Sequence, residues 1–225
     1  MSEGGAGGLG GLWQRKRIAA MHRIQSAALD LFDARGYQAV TVEQIAEASE
    51  VSPSSIYRYF GTKEDIVLWD EFDPLLEEAL PEELRDGSPL RAVRRLMGVV
   101  LGQLVGDDEE RIRRRMRHVM SDATLEASMA RQMYTASEAL GGILAAQLDR
   151  PVEDLEVQVL SHVIVGALLG GVHHWHGSGF SEPLLQVLER SFDILEAGLS
   201  TTAGTPAGRR RSRSGERGVI GPGVA

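Results

Sequence analysis

Apolar residues recur every three to four positions along most of the chain, which is the spacing that lines one face of an α-helix. The first such stripe runs from Gln14 to Arg35, and Gly36 follows it in a position where glycine commonly ends a helix. No sustained alternation of apolar and polar residues indicates a strand, and no hairpin dipeptide separates β-branched runs. The pattern therefore predicts an all-α fold.

Two short helices are predicted after this stripe from their start signals. Thr41, with Gln44 three residues later, forms a capping box, and the helix that it opens should end near Ser49. Ser52 is a hydroxyl cap followed by proline at the first helical position, which predicts a second helix running to about Phe60.

The chain as far as residue 199 is predicted to be helical too. Thr62, with Asp65 three residues later, caps a helix that carries its apolar residues toward Pro74, where proline should kink or end it. Further start signals and apolar stripes predict five helices, over about 88–105, 107–120, 123–148, 151–175 and 183–199.

Composition divides the chain into four segments. Residues 1–12 are Gly-rich, lack the basic and apolar regions of a secretory signal, and are predicted to form a flexible arm. Residues 13–66 form a small helical head, residues 67–200 a larger helical body, and residues 201–225, rich in Gly, Pro, Ser and Arg, a disordered tail. No apolar run reaches the ~18 residues of a membrane span, and the absence of cysteine suits a reducing compartment. A cytoplasmic protein with no membrane partner is predicted.

The net charge of −8 argues against a nucleic-acid binder only until it is divided along the chain. Between Arg15 and Asp65 the basic and acidic side chains are equal in number, so the acidity belongs to the body. A neutral head can still neutralise phosphates where its cations are grouped, because charges within about 8 Å of the backbone escape screening at physiological salt.

The two short helices, with a tight turn at residues 50–52 between them, match a helix-turn-helix, whose second helix enters the major groove of DNA. Ile45, Ile56 and Phe60 are spaced to pack inward. The side chains left facing outward carry hydroxyls and a guanidinium that can meet base edges or phosphates. They are Ser54, Ser55, Tyr57, Arg58 and Tyr59.

The head resembles the N-terminal signature of the TetR family of bacterial regulators at Gly36-Tyr37, Thr41 to Ala46, Val51-Ser52 and Ser55 to Glu64. The resemblance implies an N-terminal three-helix helix-turn-helix domain, a larger C-terminal ligand-binding and dimerisation domain, and usually repression. The positions that it implies to touch double-stranded DNA are Thr41, Ser52, Ser54, Ser55, Tyr57, Tyr59 and Lys63, with Arg15, Lys16 and Arg17 near the minor groove or flanking phosphates.

Methionines are concentrated in the middle helices, where flexible thioethers could line an adaptable apolar cavity or fill an ordinary core. The basic run Arg111 to Arg117 is predicted to pair with neighbouring acids, and one or two of its arginines receiving an anionic ligand is the alternative. Relatives that resemble the chain also at Trp69 to Pro74 imply a small apolar or acyl-CoA-like ligand, and a planar drug-like inducer is open. The predicted ligand-binding residues are Met97, Met116, Met120, Met129, Met133, Tyr134, Val163 and Trp175.

Apolar stripes in the last two helices predict a homodimer interface, because glycines beside Leu and Val suit close packing of helices from two subunits. A two-fold dimer would place two recognition helices ~34 Å apart or somewhat more, on a near-palindromic operator. The predicted interface residues are Leu155, Val159, Gly166, Gly170, Leu184, Leu188, Phe192 and Leu195.

Other classes of site find less support. His173, His174 and His176 lack the i, i+4 spacing of a helical zinc site, so no metal is predicted. No phosphate-binding glycine loop, nucleophile elbow or cysteine nucleophile is present, so neither an enzyme nor a cofactor is predicted. A helical adaptor whose head binds protein is the other alternative, and its affinity would depend little on salt, whereas DNA affinity depends steeply on it.

Overall fold

The computed structural model describes residues 6–70, 79–86, 88–102 and 107–198, without the side chains of residues 6–15, 86 and 107. Within these ranges the chain forms helices and no strand, which confirms the all-α prediction. In the head, α1 spans Ala6–Arg35, α2 Val42–Ala48, α3 Pro53–Phe60 and α4 Lys63–Leu68. In the body, α5 spans Pro89–Gly102, α6 Asp107–Ser121, α7 Ala123–Leu148, α8 Leu155–Gly177 and α9 Leu184–Glu196, and 3-10 turns occupy Tyr37–Ala39 and Leu84–Asp86.

The helices of the head begin at the predicted caps. The Thr41 hydroxyl accepts from the backbone N–H of Gln44, whose side-chain oxygen accepts from the backbone N–H of Thr41. Thr62 and Asp65 form the same reciprocal pair at the start of α4. Ser52 caps α3 by accepting from the backbone of the third helical residue. These local hydrogen bonds fix the turn of the helix-turn-helix.

Head and body share one apolar core. Ile45 and Ile56 are buried against Phe32 of α1, as predicted, and the same cluster continues into the body through Met116 and Trp175. A second cluster lies deeper in the body between α5, α7, α8 and α9. The head is therefore packed against the body, and its position depends on that contact.

The structure describes part of the predicted N-terminal arm and none of the predicted C-terminal tail. α1 begins at Ala6, so the arm predicted over residues 1–12 is helical from that residue, against the low helix propensity of its glycines. Residues 1–5 and the tail predicted over residues 201–225 lie outside the described ranges.

α8 begins at Leu155, and the predicted start at Pro151 is wrong. The Asp154 carboxylate accepts hydrogen bonds from the backbone N–H groups of Glu156 (2.9 Å) and Val157 (3.4 Å), which makes it the N-cap. A proline side chain offers no such acceptor, so the aspartate sets the boundary.

The C-terminal end of α4 lies where head and body meet. The last carbonyl groups of a helix have no donors within it, and other groups must supply them. The Asp65 carbonyl accepts from the backbone N–H of Trp69 (2.9 Å). The buried side chain of Gln25, from α1 of the head, donates through Nε2 to the carbonyls of Ile66 (2.9 Å) and Trp69 (2.9 Å).

The two carbonyls in between are capped from the body. Arg115 of α6 is 5% exposed, and its Nε and Nη2 donate to the carbonyls of Val67 (2.9 Å) and Leu68 (3.0 Å). A cation at a helix C-terminus also complements the helix dipole. Because these side chains complete the helix end, α4 stops at Leu68 and does not run on toward Pro74 as predicted.

The remaining arginines of the basic run pair with acids, as predicted. Arg114 binds the carboxylates of Asp30 (2.7 Å) and Asp33 (2.7 Å) on α1, and His118 Nε2 lies 2.7 Å from Asp33. Burial opposes the ionisation of Asp33, but the hydrogen bonds from His118 and Arg114 outweigh it and hold the pKa of Asp33 below its usual value. These contacts form a second, polar attachment of α6 to the head. Within α6, Arg111 pairs with Asp108, Arg113 with Glu109 and Arg117 with Glu110.

The cap from the head can be tested by replacing Gln25. Gln25→Leu should lower the free energy of unfolding by about 1–3 kcal/mol, because the buried carbonyl of Ile66 and the partly buried carbonyl of Trp69 lose their side-chain donor. Ser26→Ala, an exposed position on the same helix, should change it by less than about 0.5 kcal/mol. Urea unfolding followed by circular dichroism measures both, and a Gln25→Leu variant as stable as the wild type would contradict the cap.

Candidate DNA-binding surface and ligand cavity

The outer face of α3 presents polar and aromatic side chains to solvent. Tyr57 is 51% exposed, and Ser54 and Arg58 are exposed beside it. Tyr59 is half-buried against the head core, and the Arg58 guanidinium lies 5.2 Å from the centre of its ring. A helix that is buried on one face by Ile56 and polar on the other has the form of a recognition helix.

Hydroxyl groups cluster at the N-terminus of α3. Ser52 Oγ lies 2.9 Å from the hydroxyls of both Ser54 and Ser55, and it accepts from the backbone N–H of Ser55. Thr41 is exposed at the start of α2, with its hydroxyl engaged in the cap. Such hydroxyls at helix N-termini are suited to hydrogen bonds with phosphate oxygens.

Lys63 has partners inside the head. Its Nζ donates to the carbonyls of Tyr37 (3.1 Å) and Val40 (3.0 Å) and lies 4.0 Å from the centre of the Tyr37 ring. The Tyr37 hydroxyl donates to Glu64 (2.8 Å), and burial together with that carboxylate raises the pKa of Tyr37. Lys63 therefore ties the turn before α2 to the start of α4, and its contact with DNA stays a prediction.

The basic residues at the start of α1 are only partly described. Lys16 and Arg17 are exposed, and the side chain of Arg15 lies outside the described ranges. Exposed cations on this helix can approach flanking phosphates, and their contact with DNA also stays a prediction.

Two adjoining cavities lie in the body. The first, of about 270 Å³, is lined by residues from α4 to α9 and reaches Leu68 at the end of α4. The second, of about 330 Å³, lies among α5, α7 and α8 and shares the walls formed by Met97 and Met133. Together they offer an apolar space of the size that small-molecule ligands occupy.

Five of the predicted ligand-binding residues line the first cavity, and three do not. Met120 is half-buried in the shared core, and Val163 is exposed on α8. Tyr134 is exposed on α7, with its ring 5.9 Å from that of His162. Helical spacing did not distinguish the outer faces, on which Val163 and Tyr134 lie, from the face that lines the cavity. The residues on the cavity wall are Met97, Met116, Met129, Met133 and Trp175.

The first cavity has a polar end, which the sequence indicated only as an alternative role for the basic run. Arg115 and Asp70 are on its wall, with Arg115 Nη1 3.4 Å from Asp70 Oδ2. The remaining wall is mainly apolar. The basic run gave a signal for such a group, but spacing alone did not reveal which of its arginines points inward.

The predicted dimer residues divide between the surface and the core of the subunit. Leu155 and Val159 are 78% and 49% exposed on α8, and Gly166 and Gly170 are also exposed. The prediction for three residues of α9 needs correction, because the face on which they lie is already buried in its own subunit, while Leu195 stays half-exposed. Those three are Leu184, Leu188 and Phe192.

One helix of the described ranges, α8, is long and apolar enough to cross a membrane by length and composition. The prediction from uninterrupted apolar runs passed it over, since polar residues interrupt the stretch. Fewer than a third of the residues in its most apolar stretch are buried in the subunit. A single helix of this kind is weak evidence for a membrane span, and helices that pack in soluble proteins pass the same test.

Two of the three clustered histidines have contacts outside the cluster. His174 Nε2 lies 3.7 Å from Glu182, and the His176 ring packs against Phe180. In the part of the chain that the structure describes, no group of three or more histidines and acids could hold a metal ion.

A helix-turn-helix head joined to a helical body with an apolar cavity defines a DNA-binding regulator with a sensory domain. Family comparison agrees with that class. Residues 24–68 match the model of the tetR family of bacterial regulatory proteins, and residues 87–200 match the model of the MftR C-terminal domain. The chain belongs to the TetR family of transcriptional regulators.

Relatives match along most of the chain. A Mycobacterium tuberculosis protein named as a mycofactocin biosynthesis transcriptional regulator, MftR, is 26% identical over 187 residues, covering 82% of this chain and 93% of that one. The SmeT–triclosan complex has a TM-score of 0.51 at 20% identity, covering 80% of this chain and 90% of SmeT. The structure of FadR from Bacillus subtilis in complex with stearoyl-CoA has a TM-score of 0.50 at 22% identity, and the match covers 80% of this chain and 99% of FadR. At these identities the structural matches establish the fold.

The internal bonds of Lys63 lead to a stability prediction. Lys63→Met should lower the free energy of unfolding by about 1–2 kcal/mol, because two carbonyls lose a charged donor. Lys16→Met removes an exposed charge and should change it by less than about 0.5 kcal/mol. Chemical denaturation of the two variants measures both changes. An unchanged free energy of unfolding in Lys63→Met would mean that the ammonium contributes nothing to the stability of the head.

Proposed function

We propose that the chain is a homodimeric repressor that holds its operator with α3 and releases it when a small apolar molecule enters the cavity. The observation that carries the proposal is the position of α4. Ile66 belongs to the core of the head, while Leu68 forms part of the cavity wall. A ligand that displaces Leu68 would move a helix on which the head depends, and operator binding would in turn weaken ligand binding by the same factor.

The proposed operator contacts follow the exposed face of the head. The proposal includes a DNA-binding domain over residues 13–66 and a ligand-binding and dimerisation domain over residues 67–200. It also includes a cytoplasmic location, where a repressor meets its DNA. The polar and aromatic exposure of α3 supports contacts with base edges, and the hydroxyl cluster and exposed cations support contacts with phosphates. The proposed contact residues are Arg15, Lys16, Arg17, Thr41, Ser52, Ser54, Ser55, Tyr57, Arg58, Tyr59 and Lys63.

The proposed ligand is a small molecule with a large apolar part. The methionine-rich wall of the cavity supports this class, because thioethers adapt to varied apolar shapes. Triclosan in SmeT and stearoyl-CoA in FadR are ligands with large apolar parts in proteins of the same fold. An acyl chain or a planar drug-like molecule fits this description.

The proposed dimer pairs α8 and α9 of two subunits. Exposed Leu155, Val159 and Ile194 give these helices an apolar outer surface, which a two-fold partner would bury. An alanine methyl group at Gly166 or Gly170 would meet nothing within 4 Å in the subunit, so a partner helix can approach closely there.

Operator binding tests the DNA-binding role. The purified protein should bind DNA from upstream of its own gene, or an operator selected from random DNA, and affinity should fall steeply as salt rises. Tyr57→Ala should weaken binding about tenfold or more at unchanged thermal stability, because it removes an exposed contact surface. Tyr134→Ala, an equally exposed tyrosine in the body, is the matched control and should bind like the wild type.

Two outcomes would contradict this role. Salt-insensitive binding, or no selective DNA binding at all, would favour a head that binds protein. Loss of thermal stability in Tyr57→Ala equal to its loss of binding would make Tyr57 a packing residue.

The dimer is tested by a charge on the outer face of α8. Val159→Glu should raise the dimer dissociation constant about a hundredfold or more, since each two-fold interface would bury two added carboxylates. Val99→Glu, on an exposed position of α5, should leave the dimer intact. Sedimentation equilibrium of both variants measures the change, and equal association of the two would place the interface elsewhere.

A further inference from the structure

A buried cation stands at the junction of cavity and head. Arg115 lies on the wall of the first cavity, is almost completely buried, and caps the carbonyls of Val67 and Leu68 at the end of α4. A buried charge needs strong partners, because removal from water is costly. Two of the present partners are neutral carbonyls, which bind a guanidinium less strongly than an anion does.

Among the residues that the structure describes, Asp70 is the carboxylate that faces Arg115, and the two do not form a tight pair. Asp70 Oδ2 lies 3.4 Å from Arg115 Nη1, whereas well-formed charge-assisted pairs are about 2.7–2.9 Å apart. A guanidinium is planar and can bind a planar carboxylate through two parallel hydrogen bonds. The arrangement leaves room for a stronger anionic partner to exchange with the present ones.

We propose that the effector is an amphiphilic carboxylate whose apolar part fills the cavity and whose carboxylate binds Arg115 in place of the carbonyls of Val67 and Leu68. The proposal rests on the function proposed above and names the chemistry of its ligand. On exchange, α4 loses the cap from the body and keeps only the cap from Gln25 of the head. Ligand binding would thereby release the end of α4 from the body.

The size and lining of the cavity favour a free carboxylate over an acyl thioester at this end. The space beside Arg115 is about 270 Å³ and mostly apolar, which suits a chain with a compact head group. A coenzyme A thioester presents a neutral carbonyl at the end of its acyl chain and carries its charge on a much larger nucleotide group. Laurate, lauryl alcohol and lauroyl-CoA share one chain and differ at this end, so they separate the possibilities.

The test measures operator affinity of the full-length protein by fluorescence anisotropy, with laurate and lauroyl-CoA below their micellar concentrations and lauryl alcohol below its solubility limit. Laurate should weaken operator binding at least about tenfold, and lauryl alcohol should bind with much less effect. Equal effects of laurate and lauryl alcohol would overturn the proposal. So would a response to lauroyl-CoA alone, which would place the anion recognition outside the cavity, or an absence of laurate binding.

Variants of α6 assign the effect to Arg115. Arg115→Met should reduce the response to laurate to that of lauryl alcohol, and Arg115→Lys, which keeps the charge but loses the planar fork, should respond weakly. Arg117→Met, an exposed arginine of the same helix, should respond like the wild type. A wild-type response in folded Arg115→Met overturns the proposal, and if that variant does not fold, Arg115→Lys and the acid–alcohol comparison decide.

The experiments distinguish failure of the proposed repressor function from failure of the ligand proposal. If the protein without any probe does not bind operator, the repressor proposal fails, and calorimetric titration still tests the ligand. Laurate binding at least about tenfold tighter than lauryl alcohol, lost in Arg115→Lys, would support carboxylate recognition. Equal affinity of the two probes would overturn it.

Discussion

Four successive backbone carbonyls at the end of α4, from Ile66 to Trp69, are held jointly by the head and the body of this regulator. A buried carbonyl without a donor costs about 1–3 kcal/mol, so a helix that ends inside a protein must find partners. Gln25 of the head supplies the outer two and Arg115 of the body the inner two. Neither unit completes the helix end alone, which makes the position of the head a property of both.

The same short helix connects the two candidate sites. Ile66 is buried in the core that also holds α2 and α3, and Leu68 lies on the cavity wall beside Arg115. The ion pairs of Arg114 with Asp30 and Asp33 attach α6 to α1 on the other side. In the proposed mechanism, occupancy of the cavity and orientation of the recognition helix act on the same few hydrogen bonds, as coupling between two sites requires.

Local signals in the sequence predicted the head well. The caps at Thr41, Ser52 and Thr62 form because each depends on residues three positions apart, and the inward face of α3 follows from helical spacing. Long-range contacts were not predictable in the same way. The internal bonds of Lys63 were not predicted, because its acceptors are backbone carbonyls distant in sequence. The end of α4 was placed too late because its caps come from α1 and α6.

Contacts between distant segments were not predictable in the body either. Apolar periodicity identified the helices, and the concentration of methionines in the middle helices identified all four methionines on the wall of the first cavity. Periodicity does not say which neighbour covers each stripe. Leu188 and Phe192 were therefore assigned to a partner although their own subunit buries them. Arg115 was not distinguished from the other arginines of its run, since only the fold directs it toward the end of α4.

The most direct test of the shared helix end is a double-mutant cycle of Gln25→Leu and Arg115→Met, read as operator affinity. If both side chains act on α4, their effects should be non-additive, with an interaction free energy above about 0.5 kcal/mol. Additivity within about 0.3 kcal/mol would mean that the two caps act independently, and would contradict a helix end held jointly by head and body.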